Sequence, residues 1–493
     1  MGLVIRQSIV TTVIAYCGVA IGYVNLLYLY PKFLEPGQIG LLRTIQDAAI
    51  LFTPFAQFGL TQGIVRYYPR LVATQAQAGS FIRLILLFAL AGFGIFLFIF
   101  KIFETSILAY FEANAPEIIG YTTLVLWLTF ILLILVILEA YSRSLLKTIV
   151  PNLLREVVVR LLLAVLVLLY FSGHLTFPQF IIGTTIAYLV SLLILILYLW
   201  TQGDLRLSST FNQLDKNELP GLVRFSLLSF TGMAGMIIIG KIDSIMVSGM
   251  LGLAANAIYT TSFYMATVIE IPKRALMQIS MPLISRAFEK NDMNDIKNIY
   301  QKTSINQFIV GSLILVGIWA NLHNLFALMP RGEIYEAGTY VVIIVGLGKL
   351  IDMLFGPSSE ILVLSKYYGF NIVFILLLSA AIITGNNLLI PRYGIDGAAM
   401  GSAGALILFN FLKYFFIYAK LGMQPFTKDT LKVIGIGAIA LGVNFLVPRL
   451  EGVMLDISLR SMAIIIIYVT LVFVSKASPE GNQVFKNILA KLG

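Results

Sequence analysis

Apolar residues gather in tracts of about twenty along the chain, each long enough to cross a hydrocarbon core of roughly 30 Å as a helix. The tracts fall at 9–30, 39–60, 82–103, 118–140, 152–171, 178–200, 222–249, 256–278, 303–322, 338–360, 370–389, 396–418, 431–448 and 458–475. Inside them, as at 84–100 and 161–170, apolar residues run on without the alternation over about ten residues that marks a membrane strand. The pattern predicts an all-α polytopic membrane protein of about fourteen transmembrane helices. Composition agrees: 59% of the 493 residues are hydrophobic and 12% charged, against roughly 25% charged in a soluble domain. Mean hydropathy is +0.92.

An even number of spans puts both termini on one side, and the loops decide which. Those on one side, with their flanks, hold Arg66, Arg70 and Arg83, then Arg143, Lys147 and Arg155, then Arg206, Lys216 and Arg224, then Lys273, Arg274, Arg286, Lys290, Lys297 and Lys302. The alternate loops hold little beyond Lys32, Lys101, Arg331, Arg392, Arg449 and Arg460, and the stretch 101–117 is net acidic through Glu104, Glu112 and Glu117. The positive-inside rule makes the first side cytoplasmic, with both termini inside. The net charge of +10 then reports topology; no basic block or aromatic-interleaved groove points to nucleic acid. Arg6 precedes an apolar tract without a small-residue cleavage pattern, so the first span is read as retained. Cys17, the single cysteine, excludes a disulfide framework or cysteine metal site within the chain.

Residues 201–220 are polar and lie near the middle of the chain, which predicts a cytoplasmic linker between a six-helix lobe at 1–200 and a second at 221–420. Shifting the second half by about 216 positions brings landmarks into register. Asn25 meets Lys241, Gln62 meets Gln278, Arg70 meets Arg286, and 81–103 meets 297–319, while Glu139 and Lys147 answer Glu360 and Lys366 with small drift. Six spans per half gives both halves the same orientation, related by a pseudo-two-fold along the membrane normal, as in transporters. Residues 421–493, two further helices and a tail, have no counterpart and read as an appendage.

Charges within the spans are the candidate chemistry, because a charged side chain at mid-bilayer costs roughly 2.5–3.5 kcal/mol on insertion scales. Arg43 and Asp47 lie at i, i+4 and Lys349 and Asp352 at i, i+3, each pair on one helix face. Lys241 and Asp243, at i, i+2, point roughly 200° apart. Lys241 therefore needs a partner on another helix or a wet cavity. Arg160 sits within the fifth span, and Glu139, Glu270 and Glu360 fall toward cytoplasmic ends. Two readings stand. In one, these charges are helix-packing ion pairs or snorkel to the interface. In the other, Arg43, Lys241 and Lys349 line a central cavity between the halves and bind an anionic headgroup, Arg gripping phosphate bidentately and Lys supplying a point charge. Asp47, Asp243 and Asp352 would then balance charge or carry a coupling proton or sodium ion.

Pro54, Pro272 and Pro282 are positioned to bend or end helices. The runs Gly232, Gly235, Gly240 and Gly397, Gly401, Gly404 predict close helix packing. His174 and His323, near outer ends of spans, read as surface residues.

The opening segment, with Tyr28, Leu29, Tyr30, Pro31, Lys32, Phe33 and Leu34, then Gly40, Gln46, Pro54, Phe58, Gly59 and Leu60, then Arg66, Tyr67, Tyr68 and Pro69, resembles the start of bacterial O-antigen and oligosaccharide flippases. These are the polysaccharide transporters of the multidrug, oligosaccharidyl-lipid and polysaccharide exporter superfamily. The resemblance extends over the chain through its length, span count, repeat and extra C-terminal helices. It implies a bacterial inner-membrane location, two lobes that open alternately to each side, cationic residues in the cavity, and a polyprenyl-diphosphate-linked oligosaccharide moved to the outer leaflet for cell-surface polysaccharide such as O-antigen or lipopolysaccharide. Membrane lipids and other polysaccharide-assembly membrane proteins are the further partners it implies; no cofactor or metal is expected beyond a proton or sodium gradient. A multidrug or cation antiporter of the same superfamily is the nearest alternative, for which twelve spans and an acidic cavity are expected. A membrane enzyme of polysaccharide assembly needs placed catalytic groups and a sizeable outer loop, and no outer loop here is long.

Overall fold

A computed structural model describes residues 2–205, 214–215 and 217–478. Arg206, Lys216 and the tail beyond 478, which entered the orientation and linker readings, lie outside the described residues. Among those described, the regular structure is helical throughout.

Helices α1 (Gly2–Val24), α2 (Pro36–Gln57), α3 (Leu60–Leu71), α4 (Gln75–Glu112), α5 (Thr122–Ser144), α6 (Val159–Phe171), α7 (Phe177–Thr201) and α8 (Leu219–Leu251) come first. Then follow α9 (Leu253–Thr267), α10 (Ile271–Glu289), α11 (Met293–Leu328), α12 (Thr339–Leu354), α13 (Ser358–Leu364), α14 (Tyr368–Leu421), α15 (Lys428–Val443) and α16 (Val453–Val474). Each apolar tract is helical over most of its length. Nine of the described helical stretches are long and apolar enough to span a membrane on their own, and the bent pair α2 and α3 makes a tenth. The starts of several are written locally as capping boxes: Glu35 with Gln38 at α2, Thr74 with Gln77 at α4, Thr176 with Gln179 at α7. The chain is a multi-pass α-helical membrane protein.

By internal contacts it divides into two compact units, Met1–Ala257 and Ile258–Gly493. The division falls later than the 201–220 stretch because α8 packs against α2 and α3.

In the first unit α2 and α3 run antiparallel to α8 at very close range. A Cβ on Gly40 would stand 1.8 Å from the Leu253 carbonyl oxygen, and one on Gly59 would stand 2.1 Å from that of Ser226. Between α2 and α3 the axis bends by 46°, one turn after Pro54, where Phe58 and Gly59 both take left-handed backbone with φ of 47° and 73°. Proline removes a helical hydrogen bond and glycine accepts positive φ, so sequence and bend agree. Two π-helical turns, Asn25–Leu29 after α1 and Leu154–Val158 before α6, lie in this unit. At the second, Gly18 of α1 leaves room for the Glu156 carbonyl, which a Cβ would meet at 2.6 Å.

In the second unit α11 is the central helix, packed by α10, α12, α15 and α16. Gly394 (φ 60°, ψ −138°) breaks α14 into two arms. These fold together at Gly397, whose Cβ would fall 2.2 Å from the Leu389 oxygen, and at Gly401, facing Asn386 and Gly385. Gly404 faces open space, so that glycine run marks close packing at two of its three positions. The last two helices are integral to the unit. Ile436 and Ala440 of α15 and Ile464 and Tyr468 of α16 bury themselves with Val316 of α11, and the Tyr468 hydroxyl donates to the Ile309 carbonyl at 2.8 Å. Arg460, taken from the sequence as an outer-loop charge, is buried: Nε and Nη2 donate to the two oxygens of Asp456 at 3.1 and 3.0 Å. The spacing i, i+4 and a desolvated setting make this fork possible.

Candidate functional site

The six intramembrane charges singled out in the sequence fall into two groups, one in each unit. In the first unit they are held by the contact of α2 with α8. Thr44, one turn before Asp47 on α2, shares a 2.6 Å hydrogen bond with Ser248 and accepts another from Asn256 Nδ2 at 3.0 Å. That polar seam fixes the register of the two helices. Two turns back along α8 from Ser248, Lys241 Nζ lies 2.5 Å from Asp47 Oδ1. Lys241 thus finds on another helix the acid that Asp243, two residues on, could not be.

The acids of this group are more deeply placed than the bases. The Asp47 side chain is 7% exposed and that of Lys241 21%, while Asp243 is buried and Arg43 half-buried. Arg43 sets its guanidinium 5.6 Å from the centre of the Tyr30 ring, within cation–π range. The group is neutral in sum, with its basic side chains more open than its acidic ones.

In the second unit the expected pairing of Lys349 with Asp352 is not the one formed. Lys349 Nζ sits 3.0 Å from Glu270 Oε1, beyond the C-terminal end of α9, and 5.8 Å from the Phe263 ring centre. Asp352 instead pairs with Lys273 of α10 and accepts from Asn410 Nδ2 of α14 at 2.9 Å. An acid following its base along a helix is the weaker order for such pairs, so each finds a better-aimed partner across the helix interface. Lys273, counted from the sequence as a cytoplasmic flank residue, is therefore part of a half-buried ion pair. Close by, Lys413 of α14 is almost wholly buried, donating to Ser359 Oγ at 2.9 Å and lying 4.1 Å from the Phe409 ring centre. Its signal was present in the sequence, a lysine inside the apolar tract 396–418, the same criterion that picked out Lys349.

Two of the remaining intramembrane charges form packing ion pairs. Arg160 pairs with Glu156 at 2.9 Å and donates to the Gly18 carbonyl; Glu139 pairs with Arg155 at 3.1 Å. His174 and His323 are exposed, His323 beside Glu336 at 2.9 Å. Among the described residues no cluster of three or more His, Cys, Asp or Glu forms a metal site.

No family model matches the chain. It is 21% identical over 478 residues to an uncharacterized membrane protein of Methanocaldococcus jannaschii, covering 90% of each chain. Its fold is similar to that of the lipid II flippase MurJ in an inward closed conformation, with a TM-score of 0.74 at 14% identity over 94% of this chain and 98% of that one. It is also similar to an inward-facing multidrug resistance MATE family transporter of the MOP superfamily, with a TM-score of 0.64 at 12% identity over 83% and 94%. The architecture is that of these transporters.

Proposed function

We propose that the chain is a flippase that moves a polyprenyl-diphosphate-linked oligosaccharide from the cytoplasmic to the outer leaflet by alternating access. The observation that carries this reading is the group on α2 and α8. The side chains of Arg43 and Lys241 are more exposed than those of Asp47 and Asp243 beside them. A buried acid, Asp47, holds Lys241 ready without exposing negative charge to the substrate. A diphosphate entering here meets guanidinium and ammonium first, and competes with Asp47 for Lys241. In the second unit Lys349, tied to Glu270, offers a cation held in the same way. No covalent chemistry is required, since the bond between sugar and lipid is the same before and after crossing. The fold likeness to a lipid II flippase supports a lipid-linked substrate.

The test is transfer of a fluorescent polyprenyl-diphosphate oligosaccharide between leaflets of proteoliposomes. Wild type is expected to accelerate transfer, and Lys241→Ala to slow it about tenfold or more, the loss of one charge-assisted contact. The fold likeness to a multidrug transporter favours one other reading, export of cationic drugs. Transport of a cationic dye in the same vesicles, with no movement of the diphosphate, would establish that reading in place of ours.

A further inference from the structure

The second unit holds a buried polar file that the flippase reading does not use. Its core is Lys273, Asp352, Asn410 and Lys413. Asp352 is fully engaged, one oxygen taken by Lys273 and the other by Asn410. Lys413, 2% exposed, has no carboxylate within ion-pair distance among the described residues; its partners are one hydroxyl and one ring face. Asp352 on α12, Lys273 on α10 and Glu360 on α13 are the charged groups within electrostatic reach of it. Glu270 and Lys349 pair with each other beyond Lys273.

From this core, polar side chains continue along the facing surfaces of α10 and α11. The two helices are antiparallel, joined at 290–292, and Ser280 shares a 2.9 Å hydrogen bond with Thr303. Gln307 lies one turn further along α11 on the same face, so it falls between that hydroxyl pair and Lys273. Its side chain is fully buried, and neither amide oxygen nor nitrogen has a protein partner among the described residues. The same holds for the hydroxyl of Tyr300, one turn the other way, which is within electrostatic reach of Glu360 and Tyr414. Asn410 Oδ1 is likewise unpaired. Leaving a buried polar group unsatisfied costs about 1–3 kcal/mol, and the usual remedy is ordered water bridging such groups. Three such atoms on α11 and one at Asn410 give water a path of partners from the α10–α11 seam to the core.

A lysine at the end of such a path has two chemically sensible states. As an ammonium it donates to Ser359 and lies over Phe409. As a neutral amine it accepts from the Ser359 hydroxyl. Because Lys273 and Asn410 already satisfy Asp352, Lys413 changes state without stranding the carboxylate. We infer that Lys413 is a proton-binding site that couples transport to a pH gradient, fed through the file marked by Tyr300, Thr303 and Gln307. Lys413 Nζ takes a proton from water on the more acidic side and returns it to water on the other, and the second unit changes conformation between the two states. The inference rests on the transport reading above and supplies its coupling ion.

The experiment uses the vesicles and fluorescent lipid-linked oligosaccharide already described, with and without an imposed gradient of about one pH unit. One proton per substrate across one unit supports about tenfold substrate asymmetry. Wild type is expected to develop it. Lys413→Met, a swap of similar shape, and Lys413→Arg, which keeps its charge at all accessible pH, are expected to lose the gradient response while still equilibrating substrate. Gln307→Leu is expected to slow the response. Proton release from the purified protein in weakly buffered detergent, independent of any substrate, is expected to be one proton per chain greater for wild type than for Lys413→Met across the neutral range. A Lys413→Arg protein that responds like wild type, or equal proton release by wild type and Lys413→Met, would overturn the inference. Wild type that releases the proton but moves no lipid-linked probe would overturn the flippase reading and leave the proton site standing.

Discussion

Replacing Arg460 with Leu removes one half of the most completely engaged ion pair described. The guanidinium donates to both oxygens of Asp456 and, through Nη1, to the Asn444 carbonyl at 2.9 Å and side-chain oxygen at 2.5 Å. Asp456 also receives Asn324 from α11 and the Leu450 amide at 3.1 Å. With side chains only 5% and 3% exposed, solvent screening is small. Breaking a buried pair from one side costs about 3–5 kcal/mol, because a desolvated charge is left behind. Unfolding entropy of about 2.1 cal/mol/K per residue gives about 1 kcal/mol/K for a chain of this length, so the midpoint should fall by about 3–5 °C. The assay is thermal unfolding in detergent followed by intrinsic fluorescence. The double variant with Asp456→Leu should recover part of the loss, since no charge is then left unpaired, while Asn324 and the Leu450 amide still lose their acceptor. An unchanged midpoint in Arg460→Leu, or a double variant less stable than the single by a further comparable step, would refute the reasoning.

Gly40→Ala should reduce stability by about 1–3 kcal/mol or more, because its Cβ would overlap the Leu253 oxygen and force α2 away from its neighbour; a lowered unfolding temperature checks it. Lys273→Met should destabilise more than Lys413→Met, by about 3 kcal/mol, since only the first strands Asp352; thermal unfolding of the two proteins side by side decides the order. Asp47→Asn should leave the protein folded yet change transport of the lipid-linked oligosaccharide about tenfold, by releasing Lys241 from its 2.5 Å contact; the leaflet-transfer assay reads it.

The helical membrane architecture was legible because continuous apolar tracts of spanning length admit few other structures. Lys241 was legible for a similarly local reason: its i, i+2 neighbour points away, so a cross-helix partner was required, and Asp47 supplies it. Pairings were less legible. Lys349 and Asp352 share a face of α12, yet each bonds to a different helix, because the choice among carboxylates depends on which helices pack together and at what register. Lys273 and Arg460 look like interfacial charges by position; the first is engaged by Asp352 of α12, and the second is buried beneath the α15–α16 connection. The two π-helical turns carry no composition signal at all; Gly18, which makes space for one of them, reads as any glycine in a membrane helix.

The contact of Asn324 with Asp456 joins residues 132 positions apart. During synthesis α11 enters the membrane long before the segment that satisfies its polar end exists. The first unit, complete by Ala257, can consolidate while the ribosome is still translating the second. The second must wait for α16, whose arrival locks α11 and the α15–α16 connection in one step. A chain cut short before Val453 would therefore leave an exposed amide and an unmade clamp, the kind of defect membrane quality control removes.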